Sequence, residues 1–481
     1  MVTTLSVDMI LRSGSGRVKF VRGEDSSTTV LNAFNTSIYG QLYYYDGKYT
    51  DEELEEIQDE FSYQFCRLYA LSDYHYDFTV DGEEINNLKT INDSYGTGEA
   101  VVVDEYLYDL LKETYEFSIQ SAKEDGSLRF DIFAGETNDL YEYKLNRLTS
   151  SMTAKNKALS MVNNFIFSDD VLDDVEPLVE DTPKTVSDCE GLLEFNDEDH
   201  SVVFNKFGDA ESVKISLSAA AKGKATEYIA DYFESLYPDI SLLINSGTSS
   251  IKAIGSRPDG RSWTIRYMNP LNAECYRVNE EINTYEVKLS LAGAFNLSTS
   301  GYYEHYFYVY DEESDEYVRR DHIINPSTGV STSFFDQVSI ISDDAFLADM
   351  YTTTMMTCSS VEESESLKTT LDSYYNLYTS CIYCFKSVEN DPLTLYEYRH
   401  SEIDNLSEYN LPVMELSDGT LYDGDYSDIS VDDISKCVSK ADRSFKETYL
   451  ADSDIYGNLS IIDDTSVTPN QDRILAVLQE L

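Results

Sequence analysis

Helical and strand-like periods come in mixed blocks along this chain, and that order excludes most fold classes. DEELEEIQDEFSYQFCRLYALS (51–72) places Leu54, Ile57, Phe61, Phe65 and Leu68 at helical spacing, with acidic residues in its first turn, where they complement the helix dipole. Just before it, SIYGQLYYYDG (37–47) reads as a strand that stops at Asp46-Gly47, a turn signal. VVVDEYLYDLLKETYEFSIQSA (101–122) begins as a strand edge and continues as a second amphipathic helix, and FDIFAG (130–135) is a short strand or turn leading into more helix. Residues 200–215 and 242–340 alternate strand-like runs with turns, interrupted by a helix from about 218 to 237. Such blocks predict an α+β architecture, a mixed sheet with flanking helices. A doubly wound sheet would need strict alternation of strand and helix.

With 481 residues, 42% of them hydrophobic, the chain can bury a sizeable core. Its formal charge is −54, from 89 Asp and Glu against 35 Lys and Arg. Phosphate contacts need a basic surface, so nucleic acid is excluded as a partner, and an anionic membrane surface is disfavoured on the same ground. The charge reads as a solvated surface. Seven cysteines, odd in number and irregularly spaced, argue against a disulfide framework. Cys381 and Cys384 lie in the apolar run CIYCF and read as strand core rather than zinc ligands. No segment has transmembrane length. The N-terminal MVTTLSVDMILRSGSGRVKF has neither an apolar h-region nor a lipobox-like Cys, which leaves localisation open.

Three regions stand apart by composition. Residues 1–33 are a polar lead-in with one short strand, GRVKFVRG (16–23). Residues 169–199, rich in Asp and Glu with two Pro, predict an exposed acidic loop at an insertion boundary. Residues 401–481 hold many Asp, Ser and Tyr without sustained periodicity and predict an irregular acidic extension.

The chemistry concentrates in HIINPSTG (322–329) and LADMYTTTMMT (347–357). The first is an apolar strand headed by His322 and stopped by Asn-Pro turn chemistry. The second reads as a helix in which Asp349 and Thr353, four residues apart, share one face. Hard cations such as Mg2+ take oxygen ligands like these and keep room for substrate phosphates. A titratable His beside such a corner suits phosphoryl transfer. Upstream, SLSAAAKGK (216–224) opens a helix with small side chains; Ser218 suits its N-cap, and the free N–H groups suit an anion. NSGTSS (245–250) is a polar turn between apolar strands. Each feature has an ordinary counterpart: a structural His, an exposed acid, an Ala-rich helix packed on a sheet, a tight turn.

Taken in order, these segments resemble the motifs of the ApbE-type FAD:protein FMN transferases. SLSAAAKGKA resembles the family's DLGGIAKGYA, and SGYYEHYF (300–307) its SGxYERYF. LLINSGTSSIKAIGSRPDGRSWTIRYMNP (242–270) resembles its strand, small-residue turn and strand. LSDYHYDF (71–78) and LRFDIFAG (128–135) resemble its N-terminal half. The resemblance runs from about 34 to about 385, within a transferase domain of 34–400. It implies an ApbE-like α+β fold and Mg2+-dependent transfer of FMN from FAD to a Thr hydroxyl of a partner protein, with release of AMP. It places His322 at the phosphoryl-transfer centre. It gives Mg2+ to Asp349, Thr353 and the main-chain carbonyl of Ala219, and FAD to Phe34, Phe130, Asp131, Ser216, Lys222 and Ile323. Many family members are secreted or lipid-anchored. Four positions depart from the family's pattern: Ser216 stands for an Asp, Thr248 for a second Gly, and Phe34-Asn35 for Met-Gly. The alternatives are an FAD pyrophosphatase, with water as acceptor, and a flavin-binding protein with a decayed site.

Overall fold

The structure is a computed structural model. It describes residues 17–22, 33–141, 181–268, 286–386, 395–401, 413–416 and 421–422, apart from short gaps within these. The chain opens with β1 (Arg17–Arg22), β2 (Ile38–Tyr44) and α1 (Asp51–Ser72). Thr50 starts α1 with a capping box: its hydroxyl accepts from Glu53 N while the Glu53 carboxylate accepts from Thr50 N. Then follow β3 (Thr79–Val80), β4 (Glu83–Glu84), α2 (Leu88–Asp93), β5 (Ala100–Val102) and α3 (Glu105–Gln120). After a helical turn at 135–141 come α4 (Val186–Cys189), β6 (Leu193–Asn196), β7 (Ser201–Phe204) and α5 (Ala221–Leu236).

The second half carries most of the sheet. It runs β8 (Leu242–Ser246), β9 (Ser250–Ile254), β10 (Trp263–Met268), β11 (Glu286–Leu291), β12 (Phe295–Gly301), β13 (Tyr306–Asp311) and β14 (Glu316–Asp321). It continues with β15 (Ile324–Asn325), β16 (Val330–Ser331), β17 (Phe335–Ser342), α6 (Ala345–Met356), α7 (Val361–Tyr375), β18 (Ser380–Lys386), β19 (Leu395–Ser401), β20 (Val413–Leu416) and β21 (Leu421–Tyr422).

Eight strands form one antiparallel sheet in the order β1-β2-β8-β9-β12-β17-β18-β19. Every residue of β9 and β17 is buried, so the middle of the sheet is covered on both faces. These strands therefore have no exposed polar face; most of their residues are apolar or carry hydroxyls, and Lys252, Asp336 and Gln337 are buried with them. Helix α1 packs so closely on β2 that a Cβ on Gly40 would meet the Phe61 ring at 3.2 Å. Helix α6 is buried nearly all round, as its apolar composition requires, between the sheet and α5. On the other face of β2, Tyr43 meets the buried Trp263 of β10 edge-on, ring centroids 5.0 Å apart. Among the described residues, no helix is long and apolar enough to cross a membrane.

Two expectations about the acidic segments change. Residues 169–180 lie outside the described residues, but 181–199 are not a plain loop. They hold α4, which has its own Thr185–Asp188 capping box, and β6, and they bury Cys189, Leu192 and Leu193 in the core. Within 401–481, β20 pairs with β11, and β21 with β20, so that part of the extension joins a sheet. Ser401 closes β19, and the remainder of 401–481 lies outside the described residues.

Candidate functional site

The site is built around the meeting of α5 and α6. The helix begins later than its small-residue run suggests. Residues 218–220 form a turn, and α5 starts at Ala221 with Ala220 as N-cap, without a capping side chain. Ser218 is therefore not the cap. Its hydroxyl lies 3.1 Å from that of Ser216 instead. Of the main-chain N–H groups in its first turn, that of Ala221 donates to Leu217 O at 2.8 Å and that of Lys224 to Ala220 O at 3.0 Å. That of Gly223 is taken from outside, donating to Asp349 Oδ2 at 2.9 Å. A Cβ on Gly223 would stand 2.6 Å from both Ala345 O and Asp349 Cβ, so only glycine allows the two helices to touch here.

Asp349 is 2% exposed. Its Oδ1 accepts from the Ser249 hydroxyl at 3.3 Å, across from the β8–β9 turn. Burial raises the proton affinity of this carboxyl, while the Lys222 ammonium and the bond from Gly223 oppose that rise. One turn along α6, the Thr353 hydroxyl donates to Asp349 O at 3.3 Å and lies 3.3 Å from the Ser300 hydroxyl of β12. Ser300 also donates to Thr352 Oγ1 at 2.8 Å. Asp349, Thr353, Lys222 and the residue after it are thus drawn into one corner, with hydroxyls from the β8–β9 turn and from β12 behind them.

This donor set fits a hard cation of the Mg2+ kind, which binds through one or two carboxylates and completes its shell with water and substrate phosphate. Among the described residues, no three His, Cys, Asp or Glu side chains gather to hold a metal by themselves. A site here would rest on one carboxylate and neutral oxygens, Thr353 and a main-chain carbonyl such as that of Ala219.

A second wall is formed by two segments lying side by side. Ser216 N donates to Ile132 O at 2.8 Å and Gly135 N to Lys214 O at 3.0 Å. Asn92 clasps Ile215 through both its N–H and its carbonyl, at 2.7 and 2.9 Å. Ser216 thereby comes beside the Asp131 segment. Asp131 Oδ1 accepts from Phe133 N at 2.8 Å, yet burial pushes this carboxyl up to about 7. A raised carboxyl is most favourable to the fold below its ordinary value of 3.8, and that contribution is lost as pH rises through about 7. Asp131→Asn keeps the acceptor for Phe133 and carries no charge. It is expected to raise the urea midpoint at about pH 8 and to leave it nearly unchanged at about pH 4. An equal shift at both pH values would contradict the assignment.

His322 is exposed, where β14 joins the β15–β16 hairpin. Asp321 Oδ1 accepts from Ile323 N at 3.0 Å, spanning His322 and fixing its backbone. The hairpin docks on the Asp131 segment: Tyr141 donates to Gly329 O at 2.9 Å, and the Ser327 hydroxyl to Leu128 O at 3.4 Å. Phe130 and Ile323, each 6% exposed, lie in the apolar core. Phe34 has a left-handed φ of 54° and its ring edge-on to Tyr69, centroids 5.5 Å apart. Its neighbour Thr36 fills the space over Gly247, where a Cβ would fall 1.8 Å from the Thr36 hydroxyl. Thr248 and Asn35 lie outside the described residues. Gly223, Ser249 and Ser300 lie inside the motifs, but none is among the residues expected to bind metal or FAD. The signal for Gly223 was available, since a glycine inside a helix loses about 1 kcal/mol against alanine and needs a packing reason.

A family model described as the ApbE family matches residues 69–374. Among solved structures, the ApbE protein of Thermotoga maritima MSB8 is similar at 20% identity and a TM-score of 0.51, over 76% of this chain and 94% of that one. The flavin transferase ApbE of Vibrio cholerae is similar at 15% identity and 0.53, over 81% and 99%. The apo flavinyl transferase ApbE of Pseudomonas stutzeri is similar at 15% and 0.51, over 81% and 95%. No curated protein matches the sequence.

Proposed function

The chain belongs to the ApbE family, and on that premise we propose that it transfers FMN from FAD to a threonine hydroxyl of a partner protein, releasing AMP. The observation that carries this reading is the bond from Gly223 N to the buried Asp349 carboxylate. It joins the helix start that follows the small-residue turn to the helix of the second motif, so the two halves of the family pattern meet in one corner. The similar solved structures named flavin transferases support the same reading.

The acceptor oxygen attacks the phosphorus on the FMN side of the pyrophosphate. The new phosphoester bond forms as the bridging P–O bond breaks, its electron pair leaving with AMP. The hydroxyl proton passes to His322, which is exposed at the head of its hairpin and so open to a protein substrate. Lys222 and the positive end of the α5 dipole hold the pyrophosphate. A divalent cation such as Mg2+, held by Asp349, Thr353 and the Ala219 carbonyl, would draw charge from the phosphates. Asp131 and Ser216 contribute polar contacts to the dinucleotide, and Phe34 an aromatic face. In a chain of net charge −54, Lys222 and a bound cation would supply the local positive charge that an anionic substrate requires.

The test is one incubation of the protein with FAD, Mg2+ and an acceptor carrying a surface threonine. Flavin fluorescence on a denaturing gel is read together with AMP release. A fluorescent acceptor band that disappears with chelator is expected, and His322→Ala should slow its appearance by about 10²–10⁴-fold. AMP without the band would assign the site to hydrolysis. FAD binding with neither product would assign it to a flavin-binding protein.

A further inference from the structure

We propose that Glu227 and Lys252 are positioning residues for the metal corner, setting the register of α5 against α6 and with it the place of the Asp349 carboxylate. The inference rests on the reading of Asp349 as a metal ligand. Two bonds tie the helices together, and they are reciprocal. Gly223 N of α5 donates to Asp349 Oδ2 of α6 at 2.9 Å, and Ala345 N of α6 donates to Glu227 Oε2 of α5 at 2.6 Å. On each helix the two positions are four residues apart, and their order is opposite, so antiparallel helices are pinned at two successive turns. Slipping one helix along the other by a turn would break both bonds together.

Glu227 is itself held. Its Oε1 lies 2.5 Å from Lys252 Nζ, on β9, and Lys252 also donates to Asp343 O at 2.9 Å, just ahead of α6. The Lys252 side chain is 9% exposed. A buried ion pair of this kind is a costly way to gain stability. Its position gives it a different use: it connects α5, the sheet and the start of α6 at one point. The N-terminus of α6 already has its own cap, Asp344 accepting from Leu347 N at 2.7 Å. The Glu227 bond to Ala345 therefore adds location rather than helix initiation.

The experiment measures Mn2+ binding to the full chain without FAD, from the free-ion signal in electron paramagnetic resonance, beside the melting temperature. Glu227→Ala is expected to weaken Mn2+ binding by about 10- to 100-fold, the range of outer-shell partners of a metal site. Glu227→Gln keeps an acceptor for Ala345 N but turns its amide on the Lys252 ammonium, so it should restore part of it. The double variant Glu227→Leu/Lys252→Leu removes the acceptor without leaving a buried charge. It should melt near the wild-type temperature and still bind Mn2+ weakly. Wild-type Mn2+ affinity in the double variant, or in Glu227→Ala, overturns the proposal. Asp349→Asn run alongside separates the two levels. If it loses Mn2+ binding while the Glu227 variants keep theirs, only the positioning role fails. If it too binds as wild type, the metal reading falls and takes the proposal with it.

Discussion

Asp349→Asn is expected to lower FMN transfer by on the order of a thousandfold, about 4 kcal/mol of transition-state stabilisation, without a fall in melting temperature. The two halves of this expectation have separate causes. Asparagine has the size of aspartate and can accept from Gly223 N through its oxygen while its amide donates to the Ser249 hydroxyl. Both bonds that now hold the side chain, at 2.9 and 3.3 Å, then keep a partner. The charge alone is lost. Because burial raises the proton affinity of Asp349, the ionised form opposes folding above the ordinary carboxylate range. Removing it leaves stability at neutral pH equal or higher. The measurement is single-turnover FMN transfer at saturating FAD, with thermal unfolding at the same pH. Activity within tenfold of wild type would remove Asp349 from the metal corner. A steep loss of melting temperature would show that its carboxylate is structural.

The parts of this fold that could be read in advance are those whose signal is local. Helix α1 spans Asp51–Ser72, the bounds its apolar spacing and acidic first turn predicted, because its capping box and its buried stripe lie in one segment. Asp349 and Thr353 share a face because any helix places i and i+4 together. The start of α5 was misplaced because a serine hydroxyl has several possible partners: Ser218 turns to Ser216, and no local rule prefers the helix N–H. Acidic composition hid α4 and β6, where three apolar residues, Cys189, Leu192 and Leu193, reach the core from an otherwise polar stretch. The burial of Asp349 depends on Gly223, 126 residues away. The pairing of β20 with β11 joins segments more than a hundred residues apart. Neither relation leaves a periodic trace. The site motifs were visible as patterns, but the contacts that turn them into a corner are long-range and belong to the packed molecule.

Gly223→Ala should act against the usual rule for helices. In an exposed helix the change gains about 1 kcal/mol, because alanine loses less backbone freedom on folding. Here the added methyl would stand 2.6 Å from Ala345 O, 2.6 Å from Asp349 Cβ and 3.1 Å from Phe346 Cα. The nearest of these is a main-chain oxygen and another is a main-chain carbon, so no side-chain rotation relieves the clash; α5 and α6 must move apart. Overpacking of this kind costs about 1–3 kcal/mol, which exceeds the propensity gain, so the urea midpoint should fall. The separation also carries Asp349 away from Gly223 N and from the start of α5. A displacement of about 1 Å at a phosphoryl-transfer site is worth on the order of a hundredfold in rate. The two losses should therefore appear together, and Gly223→Ala should weaken Mn2+ binding as Glu227→Ala does, since both loosen one of the paired bonds between the helices. A stabilised Gly223→Ala variant with full transfer activity would show that the corner tolerates a change in helix spacing, and that Asp349 is not placed by the contact between α5 and α6.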